Sequence, residues 1–410
     1  MGEMSVKKNY LFLSFALPDN AMKSVFEYDK FPAVQTHKFI WNLIKAIEST
    51  ENLDCTYISC RPVSDYPYYP NKKIKKNEWI TLVKGKQIRI TEIPSSNLSI
   101  LKIITRFIFG LYYSFKKYHK VKYKGGIMVY SVHVPFLIIG YVISKVYKIP
   151  LIAIWTDPPA IRNSRETLLK SLLRKVEYKI SKFFMQRVSK VIALTKYLAQ
   201  DFAPNKPNII VEGIIDEDES IIKVYKEKQT NSNLIKVVYT GSLEKRYGIK
   251  NIIDAFQMMN DEKLQLEIYG RGDYEDELKK VSTKNKLIKY KGFLPNEEIL
   301  KIQREADFLI NARPVDELYV KYSFPSKTLE YMLSGTPLIT TMLPGIPEEY
   351  QDYIIILKDN SVEEICKKLN QIKKLTKSQK YELGVKARNY ALRKGFSIQG
   401  QRILTFINNE

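Results

Sequence analysis

Chemistry is densest between Ser323 and Pro337, Ser-Phe-Pro-Ser-Lys-Thr-Leu-Glu-Tyr-Met-Leu-Ser-Gly-Thr-Pro. Ser323 followed by Pro325 is helix-start chemistry, and Gly335 with Pro337 is a stop signal. At about 100° per residue, Leu329, Met332 and Leu333 fall on one side of the intervening helix. Ser326, Lys327 and Glu330 fall on the other. A helix start beside a Lys suits a phosphate, because backbone N–H groups and the positive dipole end point there. A carboxylate one turn on can accept hydrogen bonds from sugar hydroxyls. The set reads as a receptor for a nucleoside diphosphate and its ribose. Taken alone, the same pattern also describes an ordinary surface helix.

Such a helix needs strands behind it. Ile235–Tyr239 reads as a strand leading into Thr240-Gly241-Ser242-Leu243, with Gly248-Ile249 opening a helix. Leu264–Tyr269 ends in Gly270-Arg271-Gly272, Leu287–Tyr290 in Gly292-Phe293-Leu294, and Ala306–Asn311 in Ala312-Arg313-Pro314. Leu338–Thr341 is a further strand. Strands alternating with helices give a parallel sheet covered on both faces. Strand ends carrying glycine or a cation can converge on one ligand, and Arg313 and Lys327 can each meet a phosphate.

The front half has the same layout. Tyr10–Ala16 reads as a buried strand, Pro18–Pro32 as a polar loop and His37–Ile47 as a helix. Tyr57–Ser59, Ile88–Ile93, Gly126–Ser131, Leu151–Ile154 and Val188–Leu194 read as strands, with Ile209–Val211 following. No glycine-rich turn follows the first strand, so this is not a dinucleotide fingerprint. His133 and Asp157 fall just after strand ends, where α/β sheets place chemistry, although a lone His there is commonly structural. A hinge is expected around residues 212–233. Within it, Asp216-Glu217-Asp218 has a D-x-D spacing but reads as solvated linker. Helices are expected over Ser378–Lys394 and Gln399–Ile407.

Length and composition bound the answer. With 410 residues, 45% hydrophobic and 12% aromatic, two globular domains are the default. Cys55, Cys60 and Cys366 are odd in number and have no C-x-x-C spacing, which suits a reducing cytosol. Met1–Asn9 is polar, so no signal peptide is expected. Val134–Tyr147 is too short to span a bilayer. The net charge of +22 suits an anionic partner, though the abundance of Lys, Ile, Asn and Tyr is also what an AT-rich coding sequence gives. No nucleic-acid motif accompanies it. Leu101–Lys124 mixes apolar and aromatic bulk with a basic tail, Lys116, Lys117, Lys120, Lys122 and Lys124. That pattern fits a helix lying on an anionic membrane, or a core-facing helix with a solvated basic end.

The C-terminal half resembles family 4 glycosyltransferases. The likeness rests on Val238-Tyr239-Thr240-Gly241-Ser242-Leu243, Gly248-Ile249, Gly270-Arg271-Gly272, Gly292-Phe293, and Phe324 through Met332 with Gly335-Thr336-Pro337. The form Phe-Pro-Ser-Lys is similar to members from bacterial capsule, exopolysaccharide and O-antigen clusters. The resemblance implies an α/β GT-B fold, two Rossmann-like doubly wound domains facing across a cleft. It implies an acceptor domain at 1–212, a linker at 213–233 and a nucleotide-sugar domain at 234–390. A C-terminal helix within 391–410 would cross back to the first domain.

The implied activity is metal-independent transfer, with retention, from a nucleotide diphosphate sugar of UDP type, with no other cofactor. The acceptor would be a lipid-linked glycan or polysaccharide, and the enzyme would be cytoplasmic and peripheral on the inner face of the cell membrane. Glu330 would hold the ribose, the backbone near Gly292-Phe293 the base, and Gly241 the diphosphate. Ser242, Arg271, Arg313, Ser326 and Lys327 complete the expected donor set. His133, Lys245, Arg246, Lys327 and Glu330 form the expected catalytic set, with His133 and Asp157 on the acceptor side.

Three positions depart from the family pattern. Tyr322 stands eight residues before Glu330, where the family has a second glutamate. Ser242 and Tyr247 replace a family Arg and Lys. Lys245, Arg246, Arg313 or Lys327 would then supply the charge for the diphosphate. Two other classes stay open: a GT-B sugar-nucleotide epimerase, and a polysaccharide-cluster scaffold with weak or lost catalysis.

Overall fold

The structure is a computed structural model that describes residues 7–159, 168–217 and 234–409. The chain divides into two compact units, Met1–Asp216 with Gly395–Glu410, and Glu217–Lys394.

The first unit carries β1 (Lys8–Ser14), β2 (Leu53–Ser59), β3 (Lys73–Ile74), β4 (Asn77–Val83), β5 (Lys86–Glu92), β6 (Ser95–Ser96), β7 (Lys124–Tyr130), β8 (Leu151–Trp155), β9 (Lys190–Ala193) and β10 (Asn208–Ile210). Its helices are α1 (Asp19–Tyr28), α2 (Val34–Glu48), α3 (Ser99–Tyr118), α4 (Val134–Tyr147), α5 (Leu168–Met185) and α6 (Lys196–Phe202). The main sheet runs β10-β9-β8-β7-β1-β2-β5-β4, with only the β4–β5 pair antiparallel. Leu11, Phe12 and Leu13 are fully buried because β1 is central and covered on both faces. At the edge, β4 exposes Ile80 and Leu82.

Two stretches differ from the sequence expectation. Pro18–Pro32 is not a loop: α1 fills most of it, with Pro18 at its start and Ala21, Met22 and Val25 inside. A Pro just before a helix fits there, since it forfeits no intrahelical bond. Ile88–Ile93 was expected as a strand and overlaps β5, but its hairpin partner β4 was not anticipated.

The last helix, Phe396–Asn408, belongs to the first unit and packs against α2. The Ile215–Gly395 bridge and the Asn42 amide on the Ile214 carbonyl (2.8 Å) tie the chain there as it enters and leaves. Most of the expected linker, residues 218–233, lies outside the described residues, and with it Asp218 of the D-x-D spacing.

The second unit carries β11 (Ile235–Thr240), β12 (Leu264–Tyr269), β13 (Ile288–Tyr290), β14 (Phe308–Asn311), β15 (Leu338–Thr341) and β16 (Ile355–Leu357). They form one parallel sheet in the order β13-β12-β11-β14-β15-β16. The chain reverses its direction of travel between β11 and β14. In the first unit it does so between β1 and β7. Such switch points splay the loops at the carboxyl edge and leave room for a ligand. No described helix is long and apolar enough to cross a membrane. Among the described residues, no cluster of His, Cys, Asp and Glu could hold a metal. The three cysteines are free.

Candidate nucleotide-sugar site

At the second switch point, the helix Ser326–Leu333 has Leu329, Met332 and Leu333 buried. Ser326 is exposed, and Lys327 and Glu330 are half-buried. Pro325 precedes the helix and no side chain caps its start. Ser323, the expected cap, instead has its Oγ enclosed without a partner, as has Thr328 Oγ1. Thr328 N–H donates to the Pro325 carbonyl (2.9 Å), and no side chain closes the helix start ahead of it, which suits an anion there.

Glu330 is held from two sides. Its Oε1 accepts from Lys327 Nζ (2.7 Å) and from Gln303 Nε2 (2.7 Å). Gln303 is fully buried in the helix Asn296–Glu305 and also donates to Thr240 Oγ1 (2.9 Å). Next to Glu330, the buried Tyr331 hydroxyl accepts from Thr240 N–H (2.8 Å) and donates to the Thr240 carbonyl (2.7 Å). Thr240 is the last residue of β11, so Tyr331 and Gln303 fix the helix to the strand end that leads into Gly241.

Backbone approach explains two glycines. Gly270 has φ +145°, and a Cβ there would lie 1.8 Å from the Gly241 carbonyl oxygen. Gly248 has φ +80°, and a Cβ there would lie 1.9 Å from the Ala312 carbonyl oxygen. Only glycine lets these loops close on each other. They bring Gly241, Arg271 and Arg313 to one sheet edge, with Leu243 N–H donating to the Arg271 carbonyl (2.9 Å).

The cations distribute unevenly. The Arg313 guanidinium lies 4.4 Å from the Tyr247 ring centroid, and its Nε is enclosed without a partner. Burial pushes the Tyr239 hydroxyl up to about 12, Arg313 opposing that shift, so it serves as a donor, to the Ser242 carbonyl (2.7 Å). Ser242 Oγ bonds Glu244 (3.1 Å). Lys245 and Arg246 are exposed and engaged with Glu277 (2.9 Å) and Glu244 (2.6 Å). The expectation that they neutralise a diphosphate meets this obstacle: each already has a carboxylate. Arg271 stacks on Phe293 at 4.5 Å, and Gly292 turns at φ +76° beside them. A planar cation on an exposed ring can cover a base.

In the first unit, His133 stands three residues past the end of β7, at the N-cap position of α4. Its ring packs on Phe15 (5.1 Å) and Phe136 (4.9 Å), and its Nε2 is enclosed without a partner. Burial, with Arg106 and Lys102 nearby, holds its pKa well below the ordinary value, so the imidazole is neutral at pH 7. Asp157 is exposed just past β8, accepting from Thr156 Oγ1 (2.9 Å). The expected residues thus lie along the carboxyl edges of two sheets, His133 and Asp157 in one unit and the rest in the other. Gln303 was missed. It sits 27 residues before Glu330, and no local spacing signals a buried amide that orients a carboxylate.

The fold is GT-B. OtsA matches with a TM-score of 0.67 over 98% of this chain and 99% of its own, at 9% identity. Sucrose-phosphate synthase from Thermosynechococcus elongatus matches with a TM-score of 0.61, 97% and 98% coverage and 13% identity. HepE of Anabaena, in complex with UDP, matches with a TM-score of 0.59, the same coverages and 14% identity. By sequence, residues 221–390 match the family "Glycosyl transferases group 1". An uncharacterised glycosyltransferase of Methanocaldococcus jannaschii is 30% identical over 199 residues, 45% of this chain. The match spans about half the length of that relative (50%).

Proposed function

We propose that the protein is a retaining glycosyltransferase. It moves a sugar from a nucleoside diphosphate sugar, of UDP type, to a lipid-linked or polysaccharide acceptor in cell-surface polysaccharide synthesis. The observation that carries the donor reading is Glu330, held at 2.7 Å by both Lys327 and Gln303 beside an uncapped helix start. A carboxylate so fixed has a set orientation toward a ribose diol. The helix start and Arg313, whose Nε has no partner, supply positive charge where the diphosphate departs with the electron pair of the anomeric C–O bond, while Lys327 is held by Glu330. One preorganised donor of this kind contributes about 3 kcal/mol to lowering such a barrier. The Arg271–Phe293 stack would cover the base. The neutral His133 suits an acceptor-side role, since the imidazole adds no charge there. The family match over residues 221–390 and the UDP bound to HepE support the donor class.

The test is a mass-spectrometric screen of nucleotide sugars incubated with purified protein, with and without membrane lipid extract. Consumption of one donor with release of its nucleoside diphosphate, dependent on the extract, is expected. A changed donor without extract would indicate an epimerase. No consumption of any donor would leave a binding scaffold.

A further inference from the structure

The helix α3 is built inside out. Its buried row is Lys102, Arg106, Gly110, Ser114 and Tyr118, at a spacing of four. Lys102 Nζ donates to the Val63 carbonyl (2.6 Å) and to Asp65 (2.8 Å). Arg106 donates to the Arg61 carbonyl (2.7 Å) and lies over the Phe15 ring (5.4 Å). The Tyr118 hydroxyl reaches the Gly126 carbonyl (3.0 Å). These bonds fix the rotation of the helix, so the opposite face is fixed too. That face is Ile100, Ile104, Ile108 and Tyr112, exposed by 63%, 46%, 54% and 53%. Leu101 and Ile103 flank it and are also exposed. At 1.5 Å per residue the row runs about 18 Å. A stripe of this size on a soluble surface marks an interaction site.

We infer that this face docks on an anionic lipid surface. From Ser99 to Lys124 there is no acidic residue, and the apolar row runs into exposed Lys116, Lys120 and Lys122. Lys116 lies over the Tyr112 ring (5.4 Å) and Lys122 over Tyr123 (5.2 Å), placing aromatic rings and ammonium groups together at one end. That combination matches a headgroup layer above acyl chains. Beside it, α4 packs on both α3 and α5. It exposes Val146 between Lys145 and Lys148, and α5 exposes Leu172, Val176 and Phe183. A second copy of a chain with net charge +22 is a poor occupant, because like charges would meet around the stripe. The inner face of α3 grips residues 61–65 and Phe15, the neighbour of His133, so docking would also set the acceptor-side segment against the lipid.

The inference stands apart from the donor reading, because binding is measured without nucleotide. The full chain is cosedimented with vesicles of phosphatidylcholine, and of equal parts phosphatidylcholine and phosphatidylglycerol. Two variants are compared, Ile100→Ser/Ile104→Ser/Ile108→Ser and Lys116→Gln/Lys120→Gln/Lys122→Gln. All six side chains are solvent-facing, and unchanged melting checks that the fold survives. The wild type is expected to bind the anionic vesicles. The isoleucine variant should lose at least about tenfold in partitioning. The lysine variant should lose about fivefold per charge, with a flattened salt dependence. Absence of wild-type binding to anionic vesicles, or equal binding by the isoleucine variant, overturns the inference. So does concentration-dependent self-association that the isoleucine variant abolishes while vesicles bind neither.

Discussion

Gln303 is the most informative residue to change. Its side chain is fully buried, and its Nε2 links Thr240 Oγ1 at 2.9 Å to Glu330 Oε1 at 2.7 Å. Gln303→Leu keeps the volume and removes both bonds. A hydrogen bond to a charged group contributes about 1.5–3 kcal/mol and a neutral one about 1 kcal/mol. The expected loss of stability is therefore about 2.5–4 kcal/mol, a fall in Tm of about 5–16 °C for a unit of this size. Glu330 keeps Lys327 as a partner but loses the brace that sets its angle. Affinity for a nucleoside diphosphate should fall about tenfold, equivalent to about 1.4 kcal/mol. Gln303→Glu sets two carboxylates at the same place and should weaken binding further. Differential scanning calorimetry reads the first effect and isothermal titration the second. If Gln303→Leu lowers Tm as calculated but leaves nucleotide affinity unchanged, the amide is only structural. The account of how Glu330 is oriented would then be wrong.

Other perturbations follow from the same geometry. Gly270→Ala places a methyl 1.8 Å from the Gly241 carbonyl oxygen and should cost more than about 2 kcal/mol, with loss of nucleotide binding; an unchanged melt would show the loop is not closed there. Phe293→Ala removes the ring under Arg271 and should weaken nucleoside diphosphates about tenfold while sparing binding of inorganic pyrophosphate; an equal loss for both would place the base elsewhere. For His133 the sign is set by its depressed folded pKa. The unfolded chain binds a proton near pH 6.5 and the folded one does not, so stability is full above that pH and declines below it. The decline is at most about 1.4 kcal/mol per pH unit. His133→Asn should show a shallower fall in Tm below pH 6.5 than the wild type, and parallel curves would refute the burial of a neutral imidazole.

Some of this was legible in the sequence and some was not, for physical reasons. The glycines at the ends of β11, β12 and β13 stand out by position; Gly270 is required by close backbone approach and Gly292 by its φ of +76°. The sidedness of Ser326–Leu333 follows from helical periodicity alone. Gln303 and the Tyr331 hydroxyl were invisible as site-makers, because their partners are distant in sequence and no period encodes them. The α1 helix was hidden by Pro18, read as a breaker where it stands at a helix start. The Asn77–Val83 strand was missed because an edge strand leaves Ile80 and Leu82 in solvent and carries no buried pattern. The four-residue spacing of Lys102, Arg106, Gly110, Ser114 and Tyr118 was present throughout. Only packing shows that this polar row faces inward.

The most direct measurement is isothermal titration of the full chain with UDP, GDP and dTDP, repeated with Glu330→Ala. Saturable binding of one of them, UDP first, reduced at least about tenfold by the substitution, is the predicted result. Binding of none, or binding indifferent to Glu330, would contradict the assignment of the second unit as a nucleotide-sugar site.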